Sequence, residues 1–231
     1  MTDYAIPAPP VPSLAIRGMS ARFPVRRIYC VGRNFAEHAK EMGASIDRGT
    51  PVFFAKPADA IVAGGGAQPY PSATRDLHHE VELVVALGRD VDGTIAPDAA
   101  LAHVFGYTVG LDLTRRDLQA QAKAKGLPWD VAKGFDRSAP AGELVPAAAA
   151  GDLAARTLWL EVNGERRQSA PLSDMVWSVA DIVHELSQRF ELRAGDLIFM
   201  GTPAGVAALA PGDRWHAGIE GLVELQGSID A

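Results

Sequence analysis

The chain has 231 residues, 48% of them hydrophobic, enough to bury a sizeable core. Its net charge of -6 argues against a nucleic-acid backbone as the main partner, because such a partner calls for clustered lysine and arginine. The single cysteine, Cys30, excludes an intrachain disulfide. No apolar run approaches the ~18 residues that cross a bilayer, and no basic start leads into an apolar block, so no membrane partner and a cytoplasmic setting are expected.

Residues 1–24 carry Pro7, Pro9, Pro10, Pro12 and Pro24, which predicts an extended arm ahead of a single catalytic domain over residues 25–231. A strand is expected over residues 28–31, a turn over 32–34 and a short helix over 35–42. Residues 43–51 are small and polar and read as a mobile loop. Short strands follow over 52–55 and 60–62. A longer strand is expected over 78–87, where Val81, Leu83 and Val85 alternate, and another over 104–112. The spacing of Thr114 and Asp117 predicts a capping box opening a helix that runs through residue 125 and stops at Gly126 and Pro128. Residues 139–152 read as loop. Asn163-Gly164 predicts a tight hairpin between strands over 157–163 and 165–169. Ser178 and Asp181 form a second predicted capping box, ahead of an amphipathic helix over 179–190, and three strands close the chain over 197–200, 213–217 and 222–226. Many short strands and few helices give an α+β, mostly β class. No strand leads into a G-x-G-x-x-G turn, so a dinucleotide fold has no support.

Three clusters can carry chemistry. In His78-His79-Glu80-Val81-Glu82-Leu83, strand alternation puts Glu80 and Glu82 on one face, roughly 7 Å apart by Cα. Two carboxylates in an apolar strand repel, and a divalent cation resolves the conflict, whereas a solvated face leaves them harmless. Asp112, at the end of a predicted strand, supplies a third oxygen donor. Oxygen ligands without a nearby cysteine suit Mg²⁺ or Mn²⁺ better than Zn²⁺. On a helix, His38 and Glu41 share a face, an arrangement that raises imidazole basicity and makes a general base, although such pairs are also common on exposed helices. Arg33, Lys56, Arg116 and Lys133 stand singly beside apolar segments and read most simply as surface cations. Gly201-Thr202-Pro203 offers amides and a hydroxyl, or an ordinary turn.

These clusters occur in an order that resembles the fumarylacetoacetate hydrolase family. The matching segments are Tyr29-Cys30-Val31-Gly32-Arg33-Asn34-Phe35 with His38, Phe54-Ala55-Lys56-Pro57, His79-Glu80-Val81-Glu82-Leu83, Gly110-Leu111-Asp112-Leu113-Thr114-Arg115-Arg116-Asp117 with Gln119, Lys133-Gly134-Phe135-Asp136, and Gly201-Thr202-Pro203. Length and the proline-rich arm are most similar to the fumarylpyruvate hydrolases of gentisate degradation. Phe35 stands where relatives often carry tyrosine.

The resemblance implies a mixed β-roll with short peripheral helices and a homodimer. It implies one Mg²⁺ or Mn²⁺ on Glu80, Glu82 and Asp112, and catalysis by His38, Glu41 and Lys133. Substrate contacts would come from Arg33, Lys56, Arg116, Gln119 and Thr202, with residues 43–51 as a lid. The implied reaction is hydrolysis of the C3–C4 bond of a 2,4-dioxo acid, fumarylpyruvate giving fumarate and pyruvate. Acylpyruvate hydrolysis, oxaloacetate decarboxylation and 2-hydroxydienoate isomerisation share the same metal chemistry. Retention of both His38 and Glu41 favours hydrolysis among them. A metal-stabilised protein without catalysis would need neither that pair nor a lid.

Overall fold

The computed structural model describes residues 3–37 and 49–230. An eight-stranded sheet runs β4 (Val52–Lys56), β3 (Arg27–Gly32), β15 (Asp196–Phe199), β8 (Val81–Leu87), β9 (Val104–Leu111), β11 (Ala139–Ala141) and β5 (Ile61–Ala63), with β12 (Val145–Pro146) also paired to β9. A five-stranded sheet runs β14 (Glu165–Pro171), β13 (Thr157–Val162), β17 (Arg214–Ile219), β18 (Val223–Asp230) and β6 (Gly66–Pro69). A small sheet joins β10 (Thr114–Arg115), β7 (Leu77–His78) and β16 (Ala208–Leu209), and β1 (Ser13–Ile16) pairs with β2 (Met19–Pro24). The helices are short: α1 (Pro97–Ala100), α2 (Arg116–Lys125), α3 (Asp130–Lys133), α4 (Ala147–Ala150) and α5 (Val179–Ser187).

The large sheet is buried on both faces. On one face Leu83, Val85, Val109 and Leu111 meet Leu158, Leu160, Ala217 and Val223 of the five-stranded sheet. On the other, Ile28, Cys30, Val84, Ala86 and Phe199 meet Leu14, Ile16 and Phe23 of the β1–β2 hairpin. Each such side chain contributes about 1.5–3 kcal/mol by leaving water. All of β8 is buried as a result, including Glu82. By alternation Glu82 shares the Val84 face, so its carboxylate enters an apolar layer rather than solvent.

Much of the expected pattern is present. Asn163 and Gly164 both take positive φ, at 53° and 80°, in the β13–β14 turn. The Ser178 capping box is formed, with the Ser178 and Asp181 side chains bonding reciprocally. α2 ends on left-handed Gly126.

Within the proline-rich segment, which reads in the sequence as an extended arm or short cap, residues 13–24 form a hairpin, because Leu14, Ile16 and Phe23 have an apolar face to cover. Three expectations need correction. The strand expected over 78–87 breaks at His79 and Glu80, where the chain leaves the small sheet and enters the large one. The capping box at Thr114 is absent. Thr114 pairs with His78 in the small sheet and its hydroxyl donates to the Asp112 carbonyl at 3.0 Å, so α2 starts too late for Thr114 to cap it. Asp117 accepts instead from the Thr74 hydroxyl at 2.6 Å and from the Leu118 amide at 2.8 Å. Finally, residues 139–152 hold β11, β12 and α4, since Ala139, Ala141 and Val145 pair into the large sheet. Most of the helix over 35–42 and of the loop over 43–51 lies outside the described residues.

Gly110, opposite Glu82 on β9, has no room for a side chain. A Cβ there would lie 2.8 Å from Phe199 and from Val84, and 3.0 Å from the Pro140 carbonyl. Gly110→Ala is expected to destabilise the fold by about 1–3 kcal/mol, the usual cost of overpacking, read as a lower midpoint in urea.

Candidate active site

The antiparallel pairing of β8 with β9 places Val81 opposite Leu111 and Glu82 opposite Gly110. One step further, the Asp112 amide donates to the Glu80 carbonyl at 2.8 Å. Residues 32 positions apart in sequence are thus side by side. Ligand oxygens of Glu80, Glu82 and Asp112 all lie within 4.8 Å of one another, and all three residues are buried. The structure brings together the three acids picked out in the sequence.

Cations surround them. The Lys133 ammonium donates to Glu80 at 2.8 Å and to Asp112 at 2.5 Å, and Arg116 pairs with the other oxygen of Glu80. Lys56 lies 2.8 Å from Asp112 Oδ1 and also donates to the carbonyls of Leu113 and Lys133. Lys56 and Lys133 are each 2% exposed, so the surface-cation reading of both is corrected: carboxylate partners are what make their burial tolerable.

The two lysines differ in what they can still do. An ammonium has three donors. Two of those of Lys56 meet carbonyls, and its charge pairs with Asp112 without a hydrogen bond to Oδ1, which makes it a strut tying β4 to the segment after β9 and to the end of α3 and leaves Asp112 Oδ1 without a donor. Lys133 has two carboxylate partners and lines the cleft, leaving a donor for a ligand.

Electrostatics separate the carboxylates too. Burial alone would raise the Glu80 pKa, but Lys133 and Arg116 outweigh it and hold the carboxyl well below the usual range. Glu82 goes the other way. Burial, then Asp112 and Glu80, push its pKa well above normal, and its bonded partner is the Gly201 amide at 2.7 Å. Lys133 resists the effect of burial because Asp112 and Glu80 favour its charged form, so its pKa is raised. A group so firmly protonated is a donor, not a base.

A divalent cation fits this site. Three hard oxygen donors converge with no sulfur or imidazole, and Glu82 faces two like charges without a bonded cation among the described residues. The positive charge of such an ion would offset the like charges that raise the Glu82 pKa.

The acids open onto a narrow cleft lined by Arg33, Phe54, Arg116, Gln119, Lys123, Trp129, Lys133 and Thr202. Arg116 donates to Gln119 Oε1 at 2.6 Å, which fixes that amide beside the acids. Of the substrate-contact candidates, Arg33, Arg116, Gln119 and Thr202 line the cleft, and Lys56 stands behind Asp112. His38 and Glu41 lie outside the described residues. Sequence reading missed Lys123, whose ammonium sits 5.1 Å from the Trp129 ring, and Gln168. The first lies one helical repeat beyond Gln119 and was within reach of a periodicity argument. The second had no signal, being one polar residue in a polar strand.

The family model for the fumarylacetoacetate (FAA) hydrolase C-terminal region matches residues 27–230. The crystal structure of fumarylpyruvate hydrolase from Pseudomonas aeruginosa, in complex with Mn²⁺ and pyruvate, is 47% identical and superposes with a TM-score of 0.94 over 99% of each chain. Oxaloacetate tautomerase FAHD1 of Rattus norvegicus, a mitochondrial protein by name, is 44% identical over 89% of this chain and 92% of its own. Mitochondrial oxaloacetate decarboxylase of Dictyostelium discoideum is 41% identical over 85% and 90%. Among the described residues no helix is long and apolar enough to cross a membrane. With the carboxylate triad, the curled mostly-β sheets and these likenesses together, the chain belongs to the fumarylacetoacetate hydrolase family.

Proposed function

We propose that this enzyme hydrolyses the C3–C4 bond of a 2,4-dioxo acid and that its substrate carries a second carboxylate, as fumarylpyruvate does. The observation that carries the reading is a surplus of positive charge at the cleft. Lys56, Lys133 and Arg116 are matched to the buried acids, whereas Arg33 and Lys123 line the same cleft and form no ion pair with a described residue. Burial, Arg116 and Arg33 all lower the Lys123 pKa, so an anionic tail beside it relieves that repulsion. An acetyl tail would leave both cations without an anionic partner among the described residues. The Mn²⁺- and pyruvate-bound neighbour supports the pyruvoyl half of the substrate.

Glu80, Glu82 and Asp112 would hold one Mg²⁺ or Mn²⁺, which when bound supplies Lewis-acid stabilisation for the charge that collects on the 2-keto oxygen. Water adds to C4, the C3–C4 bond breaks, and its electron pair leaves with the pyruvate fragment as the enolate. His38, oriented by Glu41, takes the proton from water. Lys133 keeps its proton and offers its remaining donor to the oxygen at C4, where negative charge develops. Arg116 and Gln119 fix the wall on which the substrate lies. A homodimer, as the family resemblance implies, and a cytoplasmic setting are part of the same proposal; the mitochondrial names of other relatives make the compartment a matter for localisation by tagging.

Oxaloacetate chemistry is the second reading, favoured by the tautomerase and decarboxylase names of relatives above 40% identity. Assaying fumarylpyruvate, acetylpyruvate and oxaloacetate side by side with Mg²⁺ separates the two. The proposal expects the highest kcat/KM on fumarylpyruvate, and oxaloacetate ranking first would replace it.

Three outcomes are expected. Lys123→Ala raises KM for fumarylpyruvate about fivefold, the weight of a half-exposed ion pair, and leaves acetylpyruvate unchanged; equal effects on both would detach Lys123 from the tail. His38→Ala lowers kcat by about 10²–10⁴-fold while calorimetry still detects the metal; normal turnover would remove His38 as the base. Metal affinity rises with pH. The ion binds ionised Glu82, whose pKa is raised in the metal-free protein, so below that raised pKa binding must expel a proton and weakens as pH falls. Calorimetry in buffers of different ionisation enthalpy counts the proton, and Glu82→Gln abolishes the count.

A further inference from the structure

Gln168 lies on β14, in the five-stranded sheet, and is 1% exposed. All four hydrogen-bonding positions of its amide are occupied. Its Oε1 accepts from the Val81 amide at 3.1 Å and contacts His79 Nδ1 at 2.9 Å. Its Nε2 donates to the Pro203 carbonyl at 2.9 Å and to Thr202 Oγ1 at 2.8 Å.

This set admits one arrangement of hydrogens. A backbone N–H only donates, so the atom facing Val81 is the oxygen. A carbonyl only accepts, so the atom facing Pro203 is the nitrogen. The His79 nitrogen facing the oxygen therefore carries a proton, and the second amide hydrogen points at Thr202. The Thr202 oxygen is then an acceptor towards Gln168, and its own hydrogen has to go elsewhere. Among the described residues that hydrogen has no acceptor, and Thr202 lines the cleft beside Glu82.

We propose that Gln168 is a positioning residue that turns the Thr202 hydroxyl into a hydrogen-bond donor aimed at a substrate oxygen. This rests on the reading of the cleft as a dioxo-acid site. Without Gln168 the hydroxyl could donate to the Pro203 carbonyl or rotate freely. With it, the Val81 amide at the start of β8 and the His79 ring, 0% exposed, set the direction of the Thr202 hydroxyl just beyond the neighbouring strand β15. Gln168 touches no cleft surface itself and acts through Thr202 alone.

The test is a double-mutant cycle of Gln168→Glu with Thr202→Val. A buried glutamate keeps both acceptor bonds to Val81 and His79, and as the neutral acid spends its single hydrogen on the Pro203 carbonyl, so it has none for Thr202, whose hydroxyl now donates to it and turns from the cleft. Thr202→Val removes the donor at nearly constant shape. Each single change is expected to lower kcat/KM on fumarylpyruvate by about 10²–10³-fold, the usual loss of one preorganised donor. Adding Gln168→Glu to Thr202→Val should change it by no more than about twofold, because the two act as one unit. Thr202→Ser, which keeps the hydroxyl, should restore most of the activity.

An undiminished loss on Gln168→Glu in the Thr202→Val background, or no loss in the wild-type background, overturns the proposal. If Gln168→Glu melts below the assay temperature, Gln168→Met takes its place in the cycle. The wild-type assay on the dioxo-acid panel tests the reaction separately. If that panel is not turned over, the same cycle is read on pyruvate affinity of the Mn²⁺-loaded protein, where additive effects again overturn the proposal.

Discussion

One antiparallel contact decides where the chemistry can be: the backbone bond from the Asp112 amide to the Glu80 carbonyl, at the end of the β8–β9 ladder. It brings two carboxylates together, and Glu82 joins them two residues on. A slip of β9 by one residue would carry Asp112 to the opposite face and put Leu111 or Leu113 among the acids. That slip is opposed from both sides. The large sheet has the five-stranded sheet against one face and the β1–β2 hairpin against the other, so a wrong register would bring polar groups into one core or apolar ones into the site. The precision of the acidic cluster is a product of ordinary apolar packing.

The cost of that arrangement is concentrated charge in a dry place. Unpaired, each buried carboxylate would cost several kcal/mol. Lys133 bridges two of them, Arg116 takes the outer oxygen of Glu80, and Lys56 braces Asp112 from behind. Glu82 is the one left facing like charge, and its raised pKa records the imbalance. Three cations stand against three carboxylates, but none of them forms an ion pair with Glu82 among the described residues, so the charge the site lacks is local to that carboxylate rather than missing in total.

The large features of this design were legible in the sequence because they are local. Alternation in β8, the Asn163-Gly164 turn and the Ser178 capping box each occupy a few consecutive residues and follow from backbone geometry. Glu80 and Glu82 were legible as a pair on one strand face, but the approach of Asp112 depends on strand pairing across 32 residues, which the family resemblance implied and the residues by themselves did not. The lysines were misread for the same reason: a buried lysine looks like a surface one until its partner is placed. The Thr114 capping box failed where a two-residue bridge to His78 outcompeted a helix start, a tertiary contact overriding a local preference. Gln168 was invisible, because its meaning lies wholly in four atoms from two other segments of chain, 79–81 and 202–203.

The mouth of the cleft and its acidic floor share one joint. Arg33 takes a left-handed backbone, φ 62°, a conformation that costs a residue with a side chain about 1–3 kcal/mol. Asn34 holds the turn in place, donating to the Met200 carbonyl at 2.7 Å and accepting from the Trp177 amide at 2.7 Å. Directly after Met200 comes Gly201, also at positive φ, where a Cβ would lie 2.8 Å from the Asn34 side chain. The amide of that same glycine is the donor to Glu82. The turn that carries Arg33 to the cleft and the amide that steadies Glu82 are therefore packed against each other with no room for a side chain between them. Displacing one moves the other, so under the proposed function tail recognition and metal binding are coupled, and substitutions at Asn34 or Gly201 are expected to act on both at once.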